Sequence, residues 1–341
     1  MDFDFSEEQY ALRDLARDLF EKESPPSRLR DIYAGGERDA SCWRAMAGAG
    51  LTGLTIPEEF GGSAGNELDL ALVLEEAGRT ALPEPLIETV AIAAPLLAEA
   101  GTDEQKAEWL PRIANGDAVA TVLLRDQRYA VEAGDAQILI AETGGAFEAL
   151  PRDRYEAWLI QTEDRARRLY NVDVSGIAKT TRMSATDAIA ARAHQRAAVA
   201  ASGLLIGIAL RLVEMTTAYV KARQQFGRPV GSFQAVKHKL ADTHTVVEQA
   251  RAATWYAAYA LANNLDDAPV AASAAKAVAS DAEAFANAAA LQLHGGIGFT
   301  WEHDLHLWLK RGKALEQAYG SASAHRRLIA DHLFREGAAD A

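Results

Sequence analysis

The period of the apolar residues changes twice along the chain, and this change constrains the fold more than any other feature. Up to about residue 118, apolar residues recur at steps of three and four, as at Leu12, Leu15 and Leu19, which is typical of helices. From 119 to 188 the chain has short stretches rich in β-branched and aromatic residues. From 189 onward it is helical again and rich in alanine. The sequence therefore predicts a small sheet domain between two helical domains.

We place the domain boundaries at these changes of period. The predicted domains are an N-terminal helical domain over 1–118, a shortened middle β-domain over 119–188 and a C-terminal four-helix bundle over 189–341. Acidic residues follow Ser6 and Thr102, which favours helix starts at both positions. The fold class is thus α+β and mainly α. A chain of 341 residues is long enough for two or three domains with a sizeable buried core.

Four strands are predicted in the middle domain. They lie at 119–124, 137–141, 157–160 and 169–174, and glycine or charged residues separate them. We expect them to form one small, mostly antiparallel sheet.

An alanine-rich segment, 270–290, lies in the C-terminal domain. Asp266, Lys276, Asp281 and Glu283 interrupt its apolar character. We therefore predict an amphipathic helix here rather than a disordered tract.

Composition excludes several classes of function. The net charge of -13 and the pI of about 5.1 argue against non-specific binding to nucleic acids and to anionic membranes. The single cysteine, Cys42, can form no internal disulfide and is expected in the core. His303 and His306 flank Asp304 without a third ligand, so no metal site is predicted. The first residues lack the basic and apolar regions of a signal peptide, and no apolar run reaches membrane-spanning length, so we expect a cytoplasmic protein.

Four short motifs follow one another along the chain. In order they are IPEEFGG at 56–62, AGTDEQK at 100–106, RQQFG at 223–227 and QLHGGIGF at 292–299. Each motif alone is a weak signal, but four in this order form a strong one. In these motifs, and in its order of helical, sheet and helical regions, nearly the whole chain resembles the acyl-CoA dehydrogenase family.

This resemblance implies a flavin-dependent oxidation. In the family, FAD oxidises an acyl-CoA to the 2,3-enoyl-CoA. A carboxylate takes the α-proton, and the flavin takes the β-hydrogen as hydride. The carboxylate must lie in a dry, apolar site, because burial raises its basicity towards the working pH.

The resemblance also implies two contacts to FAD, both made across a subunit interface to the cofactor of the neighbouring chain. Arg223 offers a planar, charged fork to the pyrophosphate. Glycines let the backbone approach the cofactor closely. The residues predicted to contact FAD are Arg223, Gln225, Phe226, Gly227, Gln292, Gly295 and Gly296. Two simpler readings stay open: a solvated arginine at a helix end, and a glycine helix cap that is itself compatible with FAD contact.

The catalytic carboxylate of the family is absent from its usual position. In the segment 313–321, KALEQAYGS, the base position is Tyr319, whose phenol has an ordinary pKa near ~10 and replaces a carboxylate poorly. The other position used in the family corresponds to Ala197 or a near neighbour. Glu316 is the outside candidate, through a shifted register; otherwise it is a surface carboxylate one turn from Lys313. No catalytic residue is therefore predicted on this chain.

The family motifs that are missing from this chain and those that are retained serve different subunits. The family's flavin-side motif should follow Leu124, but the sequence there is RDQRY at 125–129, and the later WITN-like motif is also absent. What is lost serves the FAD and substrate of the same subunit, whereas what is kept serves the FAD of the neighbour. This pattern is the one expected of the non-catalytic subunit in heteromeric α2β2 members of the family.

Three hypotheses follow. In the first, a homologous partner supplies the catalytic glutamate, the substrate is an acyl-CoA such as a bulky steroid-side-chain thioester, and the electrons pass to an electron-transfer flavoprotein. In the second, the chain is a self-sufficient homo-oligomeric dehydrogenase or oxidase that uses Glu316. In the third, it is a non-enzymatic scaffold. The sequence leaves open the acyl chain, the partner's identity and the electron acceptor.

Overall fold

The N-terminal region is helical. A computed structural model describes residues 4–175 and 182–339. Before residue 119 the helices are α1 (Glu7–Glu23), α2 (Pro26–Tyr33), α3 (Ser41–Gly48), α4 (Glu67–Arg79), a π-helical segment (Ile87–Ala93), α5 (Ala94–Ala100) and α6 (Asp103–Ala114). The predicted helix starts are confirmed, since Ser6 and Thr102 each close a capping box. Cys42 is buried, as expected.

Two small sheets follow instead of the one predicted. The first contains β1 (Ala120–Leu123), β3 (Ile138–Thr143) and β4 (Ala146–Pro151), in the order β1-β3-β4. The second contains β2 (Ala130–Val131), β6 (Leu169–Asp173) and β5 (Glu156–Ile160), in the order β2-β6-β5. The pair β1–β3 is parallel, because the chain between these strands crosses to the second sheet and forms β2 there. The other pairs of these sheets are antiparallel.

The four predicted strands are confirmed as β1, β3, β5 and β6. The sequence does not predict β2 and β4, for two different reasons. β2 is two residues long, so it has no readable pattern. Residues 146–150 of β4 are all buried, so this strand lacks the alternation of a half-exposed strand.

The C-terminal region is again helical, which confirms the fold class. Its elements are α7 (Asp187–Ala222), the hairpin strands β7 (Gln224–Gln225) and β8 (Arg228–Pro229), α8 (Gln234–Ala262), α9 (Ala268–His294), a 3-10 segment (Gly295–Phe299), α10 (Leu305–Gln317) and α11 (Ala322–Ala339). The three long helices α7, α8 and α9 pack on one another, and α10 and α11 pack on α9.

Helix α7 crosses α4 at close range. A Cβ at Gly207 would lie 1.9 Å from the backbone oxygen of Glu75, and one at Gly78 would lie 2.2 Å from that of Leu204. Only glycine leaves room for this approach. By length and composition α7 could cross a bilayer, contrary to our expectation that no apolar run is long enough. However, 78% of its apolar window is buried inside the fold, as in a core helix.

The alanine-rich segment is helical as predicted, but its polar face is not simply solvated. Lys276 and Glu283 on α9 are both 0% exposed. The amphipathic prediction is wrong at these two positions, because α10 and the turn that follows it cover this side of α9. Glu283 lies against Gly312 of α10, where an added Cβ would meet its carboxylate at 1.9 Å.

The loop between β5 and β6 joins all three regions through one buried ion pair. Arg311 Nε of α10 donates to Asp164 Oδ2 at 2.5 Å, and both side chains are at most 4% exposed. The Tyr33 hydroxyl of α2 donates to the other oxygen of Asp164 at 2.9 Å. Arg311 Nη1 also donates to the backbone oxygen of Leu82 at 2.6 Å. One loop carboxylate thus connects the N-terminal helices with α10.

We predict that Asp164→Asn strongly destabilises the protein. The substitution leaves the buried guanidinium of Arg311 without its counter-charge, which should lower the free energy of unfolding by about 3–5 kcal/mol. The matched control is Asp281→Asn, in an exposed pair with Arg326, which should cost less than about 1 kcal/mol. Urea denaturation of both variants measures the difference, and equal costs would contradict the prediction.

Candidate functional site

The segment after α7 forms a short exposed hairpin. Gln225 pairs with Arg228, and the two residues between them, Phe226 and Gly227, have φ values of 53° and 77°. Two successive positive φ values are typical of the tightest hairpin turns. Phe226 is 91% exposed at the tip. Arg223, at the base of the hairpin, is exposed and pairs with no carboxylate in the described part of the chain.

The glycine motif forms the turn at the end of α9. Gly295 has φ 62° and ψ -140°, a combination that only glycine adopts without strain. A Cβ added at Gly295 or Gly296 would meet no atom within 4 Å, so this backbone faces open space. Gln292, on the last turn of the helix, is exposed. The turn therefore presents accessible backbone, as contact with a cofactor requires.

The structure brings the hairpin and the glycine turn together. Tyr219 lies on the last turn of α7, and its backbone oxygen accepts a hydrogen bond from the Arg223 amide at 2.8 Å. Its ring stacks on His294, the residue before Gly295, with a centroid distance of 4.5 Å. The predicted FAD-contact residues thus lie at one end of the C-terminal bundle, although about seventy residues separate the two motifs in sequence.

The side chain at the base position is bound by buried polar groups. The Tyr319 hydroxyl donates to Glu88 of the π-helical segment, and Arg167 Nη2 donates to the same carboxylate oxygen at 3.2 Å. Glu88 is 3% exposed. Burial and the Glu88 charge raise the pKa of Tyr319 well above its usual value, so the phenol stays protonated. Tyr319 has φ 57°, a strained value for a bulky residue.

Two further side chains hold this turn from its other side. Lys276 Nζ donates to the backbone oxygens of Gly320 at 2.9 Å and Glu316 at 3.2 Å. His325 Nε2 donates to the backbone oxygen of Tyr319 at 2.9 Å. Burial lowers the pKa of Lys276 to about 8. The strained conformation at Tyr319 is therefore fixed by contacts from several elements.

Glu316 is engaged elsewhere. Its carboxylate pairs with Lys313 Nζ at 2.5 Å, as expected for residues one turn apart, and also approaches Glu283. Burial, followed by the hydrogen bond with Glu316, raises the pKa of Glu283 well above its usual value. Asn287 Nδ2 donates to Glu283 at 3.1 Å. Glu316 thus belongs to a packed polar cluster between α9 and α10.

A cavity of about 720 Å³ lies between the sheet region and the C-terminal helices. Tyr319 and Ala197, the two positions at which the family places its base, both line this cavity. Neither is a carboxylate, and Glu316 is not among the lining residues. His194, one turn before Ala197, also lines it. Two positions inferred separately from the sequence therefore face the same space.

The turn after β1 offers few free donors to a flavin. Gln127 Oε1 accepts from the Leu124 amide at 2.9 Å, and Glu142 Oε2 accepts from the Arg125 amide at 3.1 Å. His194 Nε2 donates to Glu142 as well, at 2.8 Å. Two backbone amides of this turn, those of Leu124 and Arg125, are thus already satisfied within the chain. The exposed hairpin and glycine turn are compatible with FAD contact, whereas this turn has two amides fewer to offer.

Comparison with protein-family models identifies the family of this chain. A model described as the N-terminal domain of acyl-CoA dehydrogenase matches residues 6–117, and a model of the C-terminal domain matches residues 185–334. The chain belongs to the acyl-CoA dehydrogenase family. This confirms the family predicted from the motifs. The members of this family are oxidoreductases that act on acyl-CoA, and FAD is their cofactor.

Relatives of this acyl-CoA dehydrogenase-type chain cover nearly its whole length. It is 37% identical to the acyl-CoA dehydrogenase IpdE2 of Mycobacterium tuberculosis, over 93% of this chain and 92% of the relative. A solved chain of the Tcur3481–Tcur3483 steroid ACAD is 30% identical, with a TM-score of 0.88 over 98% of this chain and 99% of that one. Butyryl-CoA dehydrogenase of Megasphaera elsdenii, at 21% identity and a TM-score of 0.89 over 98% of this chain and 100% of that one, shares the fold.

Several residues of the site are not predicted by the sequence. Glu88, Arg167 and His194 have no motif around them. For Lys276 and Glu283 a signal exists: they are seven residues apart in a helix, so both lie on one face of an alanine-rich segment. A pair with this spacing is equally compatible with a buried polar contact and with a solvated face. The domain boundaries and the seven FAD-contact residues stay predictions.

We predict that Tyr319→Phe destabilises the protein by about 1–3 kcal/mol, because buried Glu88 loses one of its hydrogen-bond donors. Tyr319→Glu should cost more, since it would place a second carboxylate near Glu88. Tyr256→Phe is the matched control, because this exposed hydroxyl donates to Asp267 at the surface. Thermal unfolding ranks the three variants. A Tyr319→Glu protein as stable as Tyr256→Phe would show that Glu88 does not constrain this position.

Lys276 should give a pH-dependent stability. Its folded pKa of about 8 lies below the ordinary value of 10.5, so the folded state binds fewer protons between these pH values. Stability contributed by Lys276 therefore rises with pH in this window. From pH 7.5 to 9.5 the wild type should gain about 1–2 kcal/mol over Lys276→Met. The same comparison with Lys237→Met, an exposed lysine, should show no such gain.

Proposed function

We propose that this chain is the non-catalytic subunit of a heteromeric FAD-dependent acyl-CoA dehydrogenase. A homologous partner supplies the catalytic glutamate and the cradle for the flavin ring, and this chain supplies contacts to the same FAD across the interface. One observation carries the proposal: the hairpin and the glycine turn are open, whereas the chain's own base position holds Tyr319, whose hydroxyl is bound by Glu88.

Each open element suits one part of the cofactor. The guanidinium of Arg223 provides paired donors to the pyrophosphate, and no carboxylate of residues 4–175 or 182–339 is paired with it. Gly295 and Gly296 allow close backbone approach, and Gln292 can donate or accept a hydrogen bond. Gln225, Phe226 and Gly227 complete the hairpin surface. FAD, when bound, supplies the acceptor for the β-hydrogen of the acyl-CoA.

The surface around these elements suits an interface. Phe226 is 91% exposed, Phe299 is 74% exposed and Ile297 is 40% exposed, all close in sequence to the two motifs. Exposed apolar side chains grouped in this way mark protein–protein contact sites more often than free surface. Burial against a partner subunit would remove them from water and at the same time enclose the cofactor.

The substrate class and the assembly are inferred from the relatives. The name of one solved neighbour joins two proteins and describes a steroid ACAD, and this chain is 30% identical to one of its chains. We infer an α2β2 complex that dehydrogenates a bulky acyl-CoA, such as a steroid-side-chain thioester. An electron-transfer flavoprotein is the proposed electron acceptor, and direct transfer to oxygen is the alternative.

The alternative of a self-sufficient homo-oligomer requires Glu316 to act as the base. The contacts of Glu316 with Lys313 and Glu283 weigh against this role. Under that alternative the chain alone would bind FAD fully and oxidise an acyl-CoA, and Glu316→Gln would be inactive. A scaffold function would give no bound FAD with any partner.

Flavin content distinguishes these possibilities. The chain is expressed alone and together with a homologous subunit that carries the glutamate, and bound FAD is quantified by absorbance after denaturation. We expect little FAD on the chain alone and one FAD per unlike pair in the complex. Full occupancy of the chain alone would overturn the proposal.

We further predict that Arg223→Ala weakens FAD retention in the complex. Loss of one charge-assisted contact to the pyrophosphate should raise the FAD dissociation constant by about tenfold or more. Arg228→Ala is the matched control: it lies in the same hairpin, but its guanidinium packs over Phe233 at 4.2 Å. Equal flavin retention in the two variants would remove Arg223 from the site.

A further inference from the structure

Three aromatic rings from separate elements form a stack behind the predicted FAD-contact loops. Tyr219 comes from α7, His294 from the end of α9 and His303 from the segment before α10. Tyr219 and His294 are nearly parallel, with centroids 4.5 Å apart and an interplanar angle of 20°. His303 meets His294 edge-on at 4.8 Å and Tyr219 at 6.2 Å.

His294 is the central member and is 3% exposed. Its Nδ1 donates to the backbone oxygen of Ala290 at 2.8 Å, which fixes the ring against its own helix. Its Nε2 is buried and has no hydrogen-bond partner among the described residues. The glycine turn folds back over it, because a Cβ at Gly298 would lie 3.1 Å from the His294 Cβ.

Each of the two predicted contact loops is joined along the chain to one member of this stack. His294 is bonded directly to Gly295. Tyr219 is one helical turn before Arg223 and accepts the hydrogen bond of its amide at 2.8 Å. A shift of His294 would therefore change the position of the glycine turn relative to the hairpin.

We propose that His294 is a positioning residue, which holds the Arg223 hairpin and the Gly295–Gly296 turn in register through the stack of Tyr219, His294 and His303. This inference rests on the proposed function, since it assumes that both loops contact one FAD. His294 touches neither the cofactor nor the substrate in this role. It sets the distance between the two groups that do.

The same geometry makes FAD retention depend on pH. The titratable groups that face His294 are Tyr219 of α7 and His303 of the segment before α10. Burial, opposed by the hydrogen bond to Ala290, lowers the pKa of His294, so the imidazole is neutral near pH 7. At acid pH a second proton would place a charge beside His303 in a desolvated stack. The stack should then loosen, and FAD should dissociate faster.

Two substitutions distinguish the effect of the His294 ring from the effect of its protonation. His294→Ala removes the stacking partner, and FAD should leave the complex about two- to tenfold faster at pH 7.5. His294→Phe keeps a ring, so its rate at pH 7.5 should stay close to that of the wild type. When the pH falls from 7.5 to 5.5, the rate of FAD release should increase less for His294→Phe than for the wild type. Release is followed by the rise of free-flavin fluorescence.

The matched control is Phe5→Ala. It removes a different edge-on aromatic pair, with Trp255 at 4.9 Å, which lies about 30 Å along α8 from the hairpin end. This variant should release FAD at the wild-type rate. If His294→Ala also releases FAD at that rate, or if His294→Phe keeps the full acid acceleration, the proposal is overturned.

A second measurement uses the chain alone and needs no FAD. Arg223 is a trypsin site at the base of the hairpin, whereas the Arg228–Pro229 bond resists trypsin. His294→Ala should increase cleavage there several-fold without changing cleavage elsewhere, because the hairpin loses its support. Unchanged cleavage would overturn the positioning role. A complex that binds no FAD, combined with faster cleavage in the variant, would instead reject the proposed function and keep the structural link.

Discussion

The buried ion pair between Asp164 and Arg311 is the interaction on which the rest of the structure depends. A buried pair is weak proof of stability, because desolvation of the two charges offsets much of their attraction. Its effect here is geometric. Tyr33, Leu82 and the loop after β5 must all meet at one point to satisfy both charges. The loop fixed in this way also carries Arg167, and so it brings a guanidinium to Glu88 and Tyr319.

The change at the base position is therefore more than the loss of a carboxylate. Tyr319 adopts a left-handed conformation that costs of order 1–3 kcal/mol, and such strain persists only where the surroundings impose it. Glu88 binds its hydroxyl, His325 binds its backbone oxygen and Lys276 binds the next one. These contacts come from three separate elements: the π-helical segment, α11 and α9. A carboxylate placed here would meet Glu88, so one substitution does not recreate the family's base.

At the hairpin and the glycine turn, local sequence explains some features and tertiary packing explains the others. The glycine cap of α9 is predictable, since Gly295 adopts a conformation open only to glycine and local sterics set the allowed backbone angles. The hairpin turn is not predicted, because Phe226 has a positive φ that a bulky residue rarely adopts. The meeting of the two loops is not predictable in this way. It depends on the stacking of Tyr219 on His294, which requires the packing of α7 on α9.

The sequence by itself determined the order of the helical and sheet regions, the capped helix starts, the family, and the absence of a carboxylate at the usual base position. Tertiary structure decided the split of the middle region into two sheets and the partners of Lys276, Glu283 and Glu88. The reason is the range of the forces. Backbone angles and caps act over a few residues, whereas Glu88 and Tyr319 are 231 residues apart and meet only in the folded chain. A buried charge is specified by its partner, and no local pattern contains that partner.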